Sequence, residues 1–186
     1  MPTSFTQNND EPVWFAMRVT YRRELAVKQM LDDAGVENFI PMRYEVRTVK
    51  EKKVRLYVPA VHNLIFVHCS ESRIRDLKSG CNALQFMMRP IDGTRRPIIV
   101  SDIQMDRFIR VAGTSDNKHL YFLPEELDLA RGTRIRVHGG VFDGVEGVFV
   151  KVKGARSKRV VVQIQGVMAV AAEITPDLLE VLPEKD

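Results

Sequence analysis

The chain has only two cysteines, one tryptophan and four histidines in 186 residues, and no apolar run approaches a membrane span. Each shortage excludes a class. Cys69 and Cys81 stand in no metal-ligand spacing with any histidine. They read as incidental thiols of a reduced, cytoplasmic protein. No basic stretch followed by an apolar one opens the chain, so no signal peptide is expected. His62, His68, His119 and His138 are scattered, with no Ser or Cys near them in a nucleophile-elbow context. A Gly-x-x-x-x-Gly-Lys-Ser/Thr loop is missing too. Gly139-Gly140 precedes a strand-like run, not a helix, so a phosphate cradle at a helix start is not expected. No catalytic residue, metal or cofactor is therefore expected, and the chain does not read as an enzyme.

What is present is an uneven distribution of charge. The formal net charge is +4. Residues 12–113 hold 18 Lys and Arg against 11 Asp and Glu, and residues 114–186 hold 10 against 11. If phosphates are bound, the first region is the place for them. Residues 1–11 are polar and read as a loose tail.

Taken in order, Trp14 to Thr20 reads as a central strand, apolar at almost every position. Tyr21 to Gly35 follows as a helix, with Thr20 as its cap and Gly35 as its stop. Leu25, Met30 and Leu31, with Ala26, Val27 and Ala34 beside them, suit its inner face. Phe39 to Val49 is a strand with an early proline, and Lys50-Glu51-Lys52-Lys53 is a charged hairpin tip. Val54 to Val58 returns, Pro59 to Asn63 interrupts, and Leu64 to Cys69 is a buried strand. Ser70 caps a short helix over 71–78. Leu84 to Met88 is a strand, Pro90 to Thr94 a turn, and Ser101 caps an amphipathic helix with Ile103, Phe108 and Val111 inward. The order β-α-β-β-α-β-α predicts an α+β sandwich.

Residues 113–127 are expected to be a linker, part helical or ordered against a domain at Leu120-Tyr121-Phe122. Residues 128–186 predict a small all-β barrel, with strands at 134–137, 147–153, 159–163, 168–174 and 179–182. Between its first two strands lie four glycines in nine residues, Gly139, Gly140, Gly144 and Gly147, with one aromatic, Phe142, among them. Glycine there supplies positive φ and close backbone approach.

The pattern Gly140-x-Phe142-x-Gly144-x-x-Gly147, entered from Val137, resembles the KOW motif of SH3-like barrels. The features before it resemble, in order, the N-terminal (NGN) domain of the NusG/Spt5 transcription elongation factors. These are a Trp-Phe strand leading into a basic helix, an Ile-Pro strand start, a charged hairpin, a Pro-containing bend before an apolar strand and a closing Ser-Asp helix. The resemblance covers residues 12–182. It implies an NGN-like domain at 12–112 followed by a KOW barrel at 128–186. It implies that the first domain binds RNA polymerase at the clamp helices of the largest subunit, suppresses pausing and modifies termination.

By that resemblance, Tyr44, Tyr57, Val58, Val61, His62 and Phe66 form the polymerase-binding surface. A core role fits Phe66 as well as a surface role does. The bend at 58–64 departs from the family's usual Pro-Gly-Tyr turn. Arg22 and Arg23, with the loop holding Ser79 and Asn82, are implied to lie near upstream or non-template DNA. Gly140, Phe142, Gly144 and Gly147 mark the loop implied to meet Rho or a ribosomal protein of the S10 type, although Phe142 fits a barrel core equally well. The altered bend and the tail suggest a specialised paralogue, nearest the capsule-locus antiterminators of UpxY type, acting as a monomer at particular operons and with no membrane partner. The alternative is a ribosome-associated KOW-type RNA-binding protein. The lack of positive charge in residues 114–186 argues against it.

Overall fold

The computed structural model describes residues 11–114, 119–126, 128–130, 132–152, 155–156, 158–174 and 179–183. The expected tail lies outside them except for Glu11, as do parts of the expected linker. The first half runs β1 (Val13–Val19), α1 (Glu24–Asp33), β2 (Glu37–Phe39), β3 (Met42–Val49), β4 (Lys52–Pro59), β5 (Leu64–Cys69), α2 (Glu71–Ser79), β6 (Leu84–Phe86), β7 (Met88–Ile91), β8 (Thr94–Pro97), β9 (Ile99–Val100) and α3 (Asp102–Ala112). The second half is all strand apart from short 3-10 turns: β10 (Leu120–Phe122), β11 (Thr133–Val137), β12 (Glu146–Lys151), β13 (Lys158–Ile164), β14 (Met168–Ala172) and β15 (Leu179–Val181). No helix among the described residues is long and apolar enough to cross a membrane.

The chain divides into two compact units. One takes its residues from Met1–Ile40 and His62–Asp102, the other from Pro41–Val61 and Ile103–Asp186. The first unit is built on β1. Its near-continuous apolar sequence suits burial on both faces, and Trp14, Phe15, Ala16, Met17 and Val19 are buried. β1 pairs antiparallel with β5 on one side, and with β6 and β9 on the other. β2 adds to β5, giving the order β2-β5-β1-β6 with β9 beside β1.

Helix α1 buries Val27, Leu31 and, unexpectedly, Glu24, while Leu25 is exposed. The inner face is thus rotated from the expected one by the three- and four-residue spacing of 24, 27 and 31. Gly35 ends the helix at φ 66, with its N–H on Asp32 O at 3.0 Å and the Val36 N–H on Leu31 O at 2.9 Å. Thr20 does not cap the helix. Its N–H bonds to Ala83 O at 2.9 Å, and Arg23 holds the cap position with no side-chain bond. Ser70 does cap α2, accepting from the Arg73 N–H at 3.3 Å.

The expected strand over 39–49 is two strands. Proline has no N–H to continue a ladder, and the break falls at Ile40-Pro41: β2 belongs to the central sheet, whereas β3 pairs with β4 and, among the described residues, with no other strand. The expected turn at 90–94 is the tip of a further hairpin, β7–β8, with Asp92 at φ 49 and Gly93 at φ 75.

The second unit holds the β3–β4 ladder and a six-stranded sheet in the order β10-β14-β13-β12-β11-β15, every pairing in it antiparallel. Leu120-Tyr121-Phe122, inside the segment expected to link two domains, is strand β10 of this sheet. Leu120, Phe122, Leu129, Val150 and Ala155 pack on a core of Val152, Val161, Ala169 and Ala171. Helix α3 buries Met105, Phe108, Val111 and Ala112. Ile103, expected inward, is exposed.

Gly147 serves close approach of strands. A Cβ there would meet Val161 O at 2.6 Å and Val160 Cγ1 at 2.8 Å. Gly140 and Gly144 instead supply positive φ, 68 and 75, with open space around them. Gly147→Ala should therefore cost about 2–3 kcal/mol and Gly140→Ala about 1 kcal/mol. Urea denaturation followed by circular dichroism checks the order. Equal costs would contradict this division of roles.

Candidate functional site

The β3–β4 ribbon stands out because it is a two-stranded ladder carrying large apolar side chains on an exposed surface. Its register pairs Tyr44 with Tyr57, Val46 with Arg55 and Thr48 with Lys53, and the period of two puts all six on one face. Tyr44 is 43% exposed, Val46 64% and Tyr57 54%. The two tyrosine rings lie 4.7 Å apart at 41°, and the Arg55 guanidinium sits 3.8 Å above the Tyr44 ring. The contact is of cation–π type and orders the three side chains together. On the opposite face Glu45 pairs with Arg47 at 3.0 Å. The tip turns through Lys50 at φ 48 and Glu51 at φ 64, a left-handed pair that usually takes Asn or Gly.

Such a ribbon is marginal alone. At its open end the Ala60 N–H donates to Pro41 O at 2.8 Å. The Tyr121 hydroxyl lies 3.2 Å from Met42 O and 3.3 Å from Ala112 O, joining β3, β10 and the end of α3 within one unit. Burial first, and the neighbouring Tyr57 phenol second, push the Tyr121 phenol up to about 12. Burial, and then Tyr44, also raise Tyr57. Sequence reasoning marked Tyr121 only as part of an orderable stretch. Its hydroxyl partners are 79 and nine residues away in sequence, beyond any local signal.

The other expected docking residues divide. Val58 and Val61 are half-buried in the same unit as the ribbon. His62 belongs to the first unit, exposed, with Nδ1 3.7 Å from Glu24 Oε1. The same carboxylate oxygen accepts the Asn63 N–H at 2.6 Å. That bond gives the buried Glu24 a partner and holds Asn63 at φ 63. Phe66 is 0% exposed in the middle of β5. A strand paired on both sides and covered on both faces offers no side chain to a partner, so Phe66 is core, not surface.

The expected nucleic-acid residues meet at one end of the first unit. Val19 pairs with Leu84, and Thr20 bonds to Ala83, so the chain leaving β1 passes the loop entering β6. Tyr21 and Arg22 turn through left-handed φ of 61 and 53. Tyr21, Arg22 and Arg23 are all exposed, Tyr21 at 85%. The arginines, expected to open α1, precede it instead, and its first turn begins with the buried Glu24. Ser79 donates its hydroxyl to Asp76 O at 2.6 Å. Asn82 borders a shallow cleft lined by Lys78, Gln85, Phe86 and Met88.

In the glycine loop, the Gly139 N–H donates to Asp143 Oδ1 at 2.6 Å and the Gly144 N–H to Val137 O at 2.8 Å. Phe142 is half-buried, its ring edge-on to His119 at 6.3 Å. Glu146 bridges Arg107 of α3 at 3.1 Å and Arg136 of β11 at 2.8 Å. The Arg136 hydrogen bond is the first cause that holds its carboxyl below the usual range.

Tyr121 carries a pH prediction. A phenol whose folded pKa is raised contributes stability that is complete below the unfolded value of ~10 and is lost as pH climbs towards 12. Of the four tyrosines, Tyr121 should titrate last in an ultraviolet phenolate titration. Tyr121→Phe should cost about 1 kcal/mol at neutral pH and weaken the alkaline loss of stability. An unchanged alkaline profile would contradict the burial of this hydroxyl.

Three comparisons with known proteins complete the description. The family model for NusG, described as transcription termination factor, matches residues 12–109. A solved structure titled "Domain interaction in Thermotoga maritima NusG" aligns with 17% identity and a TM-score of 0.47 over 93% of this chain and 98% of that one. No curated protein matches.

Proposed function

The chain belongs to the NusG family, whose model spans more than half of it, and from that premise we propose an elongation factor that docks on RNA polymerase and modifies pausing and termination. Family membership places it among transcription factors. The mechanism proposed involves no covalent step: binding energy favours the closed, elongating polymerase, and the shift is limited to the difference in affinity between the two states.

The observation that carries the docking reading is the ordered, exposed Tyr44–Tyr57–Arg55 cluster on the β3–β4 ribbon. Aromatic and arginine side chains held in place lose little entropy on binding and make effective interface anchors. The clamp helices of the largest subunit are the proposed partner, with Val58 and Val61 at the patch margin. Arg22, Arg23, Ser79 and Asn82 are proposed to face upstream or non-template DNA. By family we propose a polymerase-binding domain at 12–112 and a KOW barrel at 128–186, whose glycine loop would meet Rho or a ribosomal protein of the S10 type, although by contacts the ribbon of residues 41–61 groups with the barrel's unit. A cytoplasmic factor serving particular operons, as the UpxY-type antiterminators serve polysaccharide loci, is the finer form of the proposal.

Replacing Tyr57 and Val61 together by Glu should weaken core polymerase binding by about 2–4 kcal/mol, measured by pull-down with circular dichroism confirming the fold. Wild-type recovery of polymerase by the folded variant would move the interface elsewhere.

Arg22→Ala with Arg23→Ala should leave binding to free polymerase unchanged. It should lower affinity for a DNA-scaffolded elongation complex and flatten its salt dependence by about one unit per lost phosphate contact. Wild-type affinity and slope would make the two arginines solvated surface.

A further inference from the structure

The β7–β8 hairpin holds three arginines that no described residue pairs with. Arg89 and Arg96 stand directly opposite each other across the two strands, and Arg95 opposes Pro90. All three are exposed. Directly opposed residues of an antiparallel pair bring their Cβ atoms within about 5.5 Å, where like charges repel. Several arginines elsewhere have a carboxylate at hand: Arg75 has Glu71, Arg47 has Glu45 and Arg107 has Glu146. On the hairpin, no described residue makes an ion pair or hydrogen bond to Arg89, Arg95 or Arg96.

The hairpin is also well anchored. At its base the Met87 N–H donates to Ala16 O at 3.1 Å, the Ala16 N–H to Ile98 O at 3.0 Å and the Ile98 N–H to Met87 O at 2.8 Å. It therefore grows from the edge of β1 where β6 and β9 leave one residue between them. Its tip is a two-residue turn, Asp92-Gly93, with both φ values positive, which matches the twist of the strands. The register thus places the two arginines directly opposite each other, an arrangement that like charge disfavours, on an anchored support.

A group that neutralises both would remove that repulsion. We propose that Arg89 and Arg96 form a clamp for adjacent phosphates of a nucleic-acid backbone, a contact distinct from the Arg22–Arg23 turn. Two arginines carried opposite each other on one face can reach successive phosphates, each of which can accept a bidentate pair. Ile91 and Thr94 share their face by register, and Ile91 is half-buried. That face therefore presents no large exposed apolar anchor of the kind a protein partner would use. The clamp reads no sequence, because phosphates carry none. It deepens the reading above, that this factor works beside nucleic acid, and its test uses free nucleic acid so that it stands or fails apart from polymerase docking.

The test measures binding of the full chain to a fluorescein-labelled DNA duplex by anisotropy between low and moderate salt. Arg89→Gln with Arg96→Gln should weaken low-salt affinity about tenfold and flatten the plot of log affinity against log salt by nearly two units, at ~0.9 per phosphate. Arg96→Glu replaces the repelling pair by an attracting one. It should raise the thermal midpoint yet lose at least as much affinity, which separates loss of contact from loss of fold. Loss on duplex DNA, but not on single-stranded DNA or RNA of equal length, identifies the duplex as the source of the phosphates. Equal loss on all three assigns the clamp to any backbone. Wild-type affinity and salt slope in both variants overturns the proposal, as does a lowered melting point for Arg96→Glu.

Discussion

A strand buried on both faces must satisfy every peptide group through its neighbours, and β1 is where the first unit meets that demand. Trp14 to Val19 exchange ladder bonds with β5 on one edge and with β6 and β9 on the other. Ala16, which falls between β6 and β9, is satisfied by Met87 and Ile98. An unpaired backbone group at that depth would cost about as much as a lost hydrogen bond. The consequences reach the surface. The demand at Ala16 fixes the base of the β7–β8 hairpin. The end of β1 fixes Thr20 against Ala83, and thereby sets the Arg22–Arg23 turn beside the loop of Ser79 and Asn82.

The ribbon follows the opposite logic. Among the described strands β3 and β4 pair with each other alone, and the tyrosine pair, Arg55 over Tyr44 and the Tyr121 hydroxyl at the open end support them. What holds the ribbon in shape is also what it would offer a partner. Ordering three side chains before binding lowers the entropy that docking must overcome.

Much of this was legible in the sequence, wherever the chemistry is local. The apolar run of β1, the Ser70 cap, the stop at Gly35 and the glycine pattern around Phe142 all act through their own neighbours. The strands of the second unit fell within two residues of expectation at most ends, for the same reason. The misreadings lie where long-range partners decide. Phe66 and Tyr57 are both aromatic residues in strands, and only pairing on both edges of β5 makes one of them core. Leu25 lost the inner face of α1 to Glu24 because Asn63 supplies that carboxylate with a donor. The β7–β8 hairpin was hidden by Pro90 and Pro97, which weaken a strand reading although they are tolerated in an exposed two-stranded ladder. Nothing local in Lys50-Glu51 announces two left-handed residues. Their geometry follows from the two-residue connection the ribbon requires.

The central proposal is that the exposed surfaces of this fold serve polymerase and not the ribosome. Fractionation of the purified full chain with bacterial core RNA polymerase and, separately, with ribosomal subunits tests it most directly. The account predicts co-migration with core polymerase and none with either subunit. Co-migration with a ribosomal subunit, and not with polymerase, would contradict it.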